Sequence, residues 1–167
     1  MSAPRESIEA RLAAGGLPPL PRNAWLELDL GALRHNLASL RELAGGVPVH
    51  PVVKGDAYGH GAIPIARALA DAGADGLSVA TMDEALELRE AGLTLPIRVL
   101  YPIPPGFVAD AMRDGITVAL GDRATAGPIL AAAEAAGAFE PGSELRTEIE
   151  IETGLGRGGT APEDVVA

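Results

Sequence analysis

A single lysine stands in the run Val52-Val53-Lys54-Gly55-Asp56-Ala57-Tyr58-Gly59-His60-Gly61, at the end of an apolar, β-branched segment and at the start of a glycine-rich turn. All the other basic residues among the 13 lysines and arginines are arginine. An amine in a partly apolar setting is easier to hold neutral than one in water, and the neutral amine is the form that condenses with carbonyls. Lys54 is therefore the one side-chain address for a Schiff base. Tyr58, four residues later, offers a hydroxyl suited to a phosphate, and Gly55, Gly59 and Gly61 let the backbone approach a ligand closely. The same residues also describe a solvated loop lysine beside a glycine turn, which is a common surface arrangement.

A second constellation is Glu150-Ile151-Glu152-Thr153-Gly154-Leu155-Gly156-Arg157-Gly158-Gly159, where alternating acidic and apolar residues lead into a flexible loop with one arginine. Arg157 is a planar, permanently charged donor that matches a carboxylate or a phenolate oxygen. Alone, a glycine-rich loop with an arginine is equally an ordinary surface turn and a weak phosphate signal. His35, His50 and His60 lack metal-ligand spacing, and no cysteine is present, so no metal site, disulfide or cysteine nucleophile is expected. His60, within Gly-His-Gly, reads as structural. Asp83, Glu84, Glu87 and Glu90 read as a solvated helix face with favourable first-turn charge.

Positioning such groups requires rigid elements. The chain is 47% hydrophobic but 3% aromatic, so its core must be built from Ala, Val, Leu and Ile, as in helices packed on parallel strands. Apolar runs at Val49–Val53, Gly76–Ala80, Ile97–Tyr101, Ile116–Leu120 and Leu145–Glu152 predict strands. Between them, Ala62–Ala72, Met82–Ala91, Pro105–Asp114 and Arg123–Ala136 predict helices; Thr81 and Glu84 form a capping-box pair for the second of these, and Gly92 supplies its stop. Ahead of this rhythm, Trp25–Asp29 alternates at the strand period, Asp29 is placed to cap a helix carrying Leu33, Leu37, Leu40 and Leu43, and a short helix fits Ile8–Ala14.

Repeated βα units imply a parallel α/β sheet, either closed as a TIM-type (β/α) barrel or open and doubly wound. About five of the eight units of such a barrel are present, and Pro162–Ala167 reads as the first turn of another helix, so an incomplete barrel is expected. Residues 1–22, with Gly15-Gly16-Leu17-Pro18-Pro19, read as a flexible tail, and residues 23–167 as the barrel domain. The net charge of −10 argues against a nucleic-acid backbone or an anionic membrane as partner. No run of 18 uncharged apolar residues and no signal-peptide layout is seen, which leaves a cytoplasmic protein as the expectation.

Together the two constellations resemble the alanine racemase family, whose lysine motif reads Lys-Ala-Asp/Asn-Ala-Tyr-Gly-His-Gly and whose later loop reads Asp-Thr-Gly-Met-Xaa-Arg-Xaa-Gly. Ala24–Leu30, followed by Leu33, His35 and Asn36, and the stretch Leu77–Ala85 resemble the family as well, in the same order. Gly55 replaces the usual Ala, Glu152 the usual Asp and Leu155 the usual Met. The resemblance implies a fold-type III enzyme that interconverts L- and D-alanine with pyridoxal 5'-phosphate. In that reading Lys54 carries the cofactor as a Schiff base and is one of two catalytic bases. Tyr58 holds the cofactor phosphate, and Arg157 bonds the phenolic oxygen and the substrate carboxylate. It further implies a homodimer in the full-length family and a second catalytic base absent from these 167 residues. The alternative is a catalytically silent chain that binds the cofactor weakly or needs a partner chain to complete the barrel.

Overall fold

The computed structural model describes residues 6–165; residues 1–5 of the expected tail and residues 166–167 of the expected terminal turn lie outside the described residues. Helix α1 (Ile8–Ala14) starts at Ser7, whose side chain accepts from the Ala10 amide, and α2 (Leu30–Leu43) starts at Asp29, which accepts from Ala32 at 2.9 Å. After a six-residue segment at Lys54–Gly59, labelled α3, the chain alternates helix and strand. The order is α4 (Ala62–Asp71), β1 (Leu77–Val79), α5 (Met82–Glu90), β2 (Ile97–Val99), a 3₁₀ turn at Pro105–Phe107, α6 (Val108–Arg113), β3 (Ile116–Leu120), α7 (Arg123–Ala135) and β4 (Thr147–Ile149). A 3₁₀ turn at Pro162–Asp164 begins where a further helical turn was expected.

The four strands form one parallel sheet in the order β1-β2-β3-β4, the arrangement that successive βα crossovers produce. Side chains alternate between the two faces of a strand. Leu77 and Val79, Ile97 and Val99, and Ile116 and Val118 are each at most 1% exposed and face the helices, where they meet Ala66, Leu69, Ala85, Leu88, Ala111, Ile129 and Ala133. The opposite face carries Ser78, Arg98, Thr117, Ala119 and Glu148. Arg98 reaches over β3 to Glu148, with an ion pair of 2.5 Å. This is the α/β architecture of a partial TIM barrel, with helices outside and a polar inner face.

The fifth expected strand, Val49–Val53, lies beside β1 and is bonded in parallel to it: the Val53 amide donates to Ser78 O at 2.8 Å and the Ser78 amide to Pro51 O at 2.9 Å. Its regular pairing is reduced to one bridge at Val52, and Pro51, which faces β1, has no amide hydrogen to contribute. The expected strand at Trp25–Asp29 does not form. Trp25 and Leu26 are exposed instead, and the alternation that suggested a strand serves local contacts, with Trp25 Nε1 donating to Glu27 at 3.2 Å and Arg11 pairing with the same carboxylate at 2.7 Å. An alternating pattern needs a neighbouring strand to become a ladder.

Candidate active site

Val53 is 2% exposed and belongs to the core, and Lys54 follows it directly at the C-terminal end of its segment. That end is where parallel α/β proteins gather reactive groups. The Lys54 ammonium lies 5.6 Å from the ring centroid of Tyr101, just beyond the C-terminal end of β2. Tyr101 in turn lines a strand-end cleft of about 160 Å³ with Gly121 and Asp122 after β3 and with Glu150, Arg157 and Gly159 after β4. Tyr101 is thus the residue that Lys54 and the Arg157 cleft have in common.

The backbone after Lys54 is unusual. Gly55, Asp56, Ala57 and Tyr58 all have φ between +51° and +60° with helical hydrogen bonding, so α3 is a left-handed turn. For residues such as Ala57 and Tyr58 this region costs about 1–2 kcal/mol each, about 2–4 kcal/mol together, and Asp56, whose short polar side chain tolerates it better, adds less. Five bonds offset it. The Ala57 amide donates to Val53 O and the Gly61 amide to Asp56 O, both at 2.9 Å, and His60 Nδ1 donates to Ala57 O at 2.8 Å. The Ala62 amide, at the start of α4, donates to Asp56 Oδ1 at 2.6 Å, and the Gly55 amide to Glu84 Oε1 at 2.6 Å. Strain held this firmly is a signature of functional positions. Tyr58 stands on the outside of the turn, 64% exposed, and does not line the cleft that holds Tyr101 and Arg157.

The Arg157 loop is held by one carboxylate. Glu152 accepts from the amides of Gly154, Gly156 (2.8 Å) and Arg157 (3.2 Å). These bonds, the Gly156 amide foremost, hold the Glu152 carboxyl below the usual carboxylate range. The loop then doubles back: the Thr160 amide donates to Glu150 O and the Glu152 amide to Thr160 O, both at 2.9 Å. Only glycine fits at 159, where φ is +93° and a Cβ would stand 2.9 Å from Glu150 O and Glu152 N. Arg157 itself is 60% exposed and faces Glu150 at 4.0 Å.

The structure therefore brings two of the three sequence-derived site residues, Lys54 and Arg157, to one end of the sheet. Sequence reasoning missed Tyr101, although its place at the end of a strand candidate was a usable signal. It also missed Glu150 as the neighbour of Arg157, and it read Glu84 as a helix cap on a solvated helix face. Among the described residues, no cluster of His, Asp or Glu that could hold a metal ion exists, and no helix is long and apolar enough to cross a membrane.

Residues 28–167 match the family described as alanine racemase, N-terminal domain. The chain belongs to the alanine racemase family. It is 44% identical over 149 residues to the alanine racemase of Mycolicibacterium smegmatis, covering 88% of this chain and 37% of that one. Among solved structures, alanine racemase from D-cycloserine-producing Streptomyces lavendulae matches with a TM-score of 0.71 at 40% identity, over 82% of this chain and 35% of the other. The histidine racemase of Leuconostoc mesenteroides matches with a TM-score of 0.76 at 29% identity, over 87% and 38%. The chain thus spans little more than a third of the length of these proteins.

Proposed function

We propose that this chain carries the lysine-bearing part of a pyridoxal-phosphate-dependent racemase of small amino acids, with alanine as substrate. The observation that carries the reading is the lone lysine, set at a strand end with its Nζ over the ring of Tyr101, which itself lines the cleft that holds Arg157. The donor set suits the cofactor: an amine for its carbonyl, an aromatic ring beside that amine, and a guanidinium for its anionic oxygen. When bound, pyridoxal phosphate supplies an electrophilic carbonyl and a ring that takes up the electron pair left on the substrate α-carbon.

In this reading Lys54 Nζ would hold the cofactor and would exchange a proton with the substrate α-carbon from its own side. Arg157 would donate to the cofactor phenolic oxygen and orient the substrate carboxylate. The exposed Tyr58 hydroxyl would donate to the phosphate. Inversion also needs a proton carrier on the opposite face. In this reading that group comes from outside residues 1–167, from a C-terminal β domain of a partner subunit, and the proposed active species is a homodimer of the full-length protein.

Exposed Val52 (41%), Ile149 (53%) and Ile151 (45%), all at or near the two edges of the sheet, favour a second reading. There the chain binds cofactor but turns substrate over only when further protein covers those edges. Two assays decide. Titration with pyridoxal phosphate is expected to give a saturable new absorbance band that Lys54→Ala abolishes; a band that persists in that variant refutes the proposal. Formation of D-alanine from L-alanine, followed with D-amino-acid oxidase, sinks the second reading if this chain alone sustains it.

A further inference from the structure

The residue after Lys54 is tied to a different βα unit. Gly55 opens the left-handed turn, and its amide donates at 2.6 Å to Glu84 Oε1, 29 residues away and in the first turn of α5. The other oxygen of the same carboxylate accepts from the amides of Ala80 (2.7 Å) and Thr81 (3.3 Å), at the end of β1 and the N-cap of α5. An ionised carboxylate is an acceptor on both oxygens, which three N–H groups pointing at it require. Such charge-assisted bonds are about twice as strong as neutral ones.

Capping α5 does not by itself demand this residue, because a glutamine at the third helical position completes a capping box equally well. What demands a carboxylate is the second oxygen, which is spent on the peptide that follows Lys54. We propose that Glu84 is a positioning residue for Lys54: it locks the Lys54–Gly55 peptide to the β1–α5 junction and so fixes the direction in which the amine leaves the strand end. The proposal rests on the reading of Lys54 as the cofactor-bearing amine.

Glu84→Gln separates the two oxygens. The glutamine carbonyl is drawn to the cap, where two amides wait, and its NH₂ group then faces the Gly55 amide, donor against donor. Thr81→Ala is the matched control: it weakens the other half of the same cap and leaves the Glu84–Gly55 bond in place. Both variants and the wild-type 167-residue chain are titrated with pyridoxal phosphate, normalised to folded fraction by far-ultraviolet circular dichroism. Amide hydrogen exchange at Gly55 is followed in the absence of cofactor. Glu84→Gln is expected to weaken cofactor uptake about tenfold and to remove protection at Gly55, while Thr81→Ala stays within about twofold of wild type. Wild-type uptake that is unchanged in Glu84→Gln, or that falls equally in Thr81→Ala, overturns the proposal alone. No uptake by the wild-type chain overturns the reading of Lys54 and this proposal with it. Retained protection of the Gly55 amide in Glu84→Gln overturns the clamp whatever the cofactor does.

Discussion

Asp56 joins the left-handed turn to α4, and three substitutions there separate what its side chain does from what its backbone conformation costs. The carboxylate accepts from the Ala62 amide at 2.6 Å, which supplies the cap that Gly61, with no side chain, does not. Losing a cap of this kind costs about 1 kcal/mol, within a range of roughly 0.5–2 kcal/mol. The residue also sits at φ 54° and ψ 47°, a conformation that Asp and Asn tolerate better than alanine, for which it costs about 1–2 kcal/mol. Asp56→Asn keeps an acceptor oxygen and the backbone tolerance, so it is expected to change stability by less than about 0.5 kcal/mol. Asp56→Ala loses the cap and adds backbone strain, for a total of about 2 kcal/mol. Asp56→Gly loses the cap but relieves the strain, while its unfolded chain gains entropy worth roughly 0.5–1 kcal/mol, leaving a net loss of about 1 kcal/mol. Urea unfolding followed by far-ultraviolet circular dichroism, with a common slope for the three variants, measures the order Asn, then Gly, then Ala. If Asn is as damaging as Ala, the side chain does not act as an acceptor. If Gly is the worst of the three, the left-handed conformation is not a source of strain.

Glu152 gives a pH dependence with a definite sign. Its folded-state carboxyl is held below the usual value, so its contribution to loop order is complete above the ordinary glutamate range near about 4.3 and is lost as pH falls through the lower folded value. The amide signals of Gly154 and Gly156 should move together in an NMR titration below that range, and Glu152→Gln should flatten the response. At Gly159, alanine meets backbone atoms at 2.9 Å and an unfavourable φ of +93°. Gly159→Ala is expected to cost about 1–3 kcal/mol in chemical denaturation and to lower cofactor affinity through displacement of Arg157; a variant as stable as wild type contradicts the close packing described. Arg157→Ala removes an exposed side chain, so thermal stability should stay within about 0.5 kcal/mol of wild type while pyridoxal phosphate binding weakens about tenfold.

The sheet was legible because parallel strands buried on the helix side declare themselves as short apolar runs, and Ile116–Leu120 matches its expected limits residue for residue. Ends were less legible. Gly76–Ala80 shortens to Leu77–Val79 and Leu145–Glu152 to Thr147–Ile149, because regular pairing stops where a neighbouring strand turns away, which no single run encodes. The strand expected at Trp25–Asp29 does not form, because its alternation has no neighbouring strand among the described residues and serves local contacts instead.

At the site, Lys54 was legible from its uniqueness and its place after Val52 and Val53, and Arg157 from its glycine loop. The left-handed turn was not, since Asp56, Ala57 and Tyr58 have no compositional preference that announces three consecutive positive φ values. Nor was the bond from Gly55 to Glu84, which depends on how two βα units pack and not on either motif alone.

The central claim is that Lys54 is the amine that holds pyridoxal phosphate, and the most direct measurement is borohydride reduction of the cofactor-treated folded chain followed by peptide mapping. The lone lysine makes the outcome binary among side chains. A pyridoxyl group on Lys54, formed in stoichiometric amount and suppressed when the chain is unfolded before treatment, is the result predicted. An unmodified Lys54 in the folded chain, or label only at the N-terminal amine, contradicts the account.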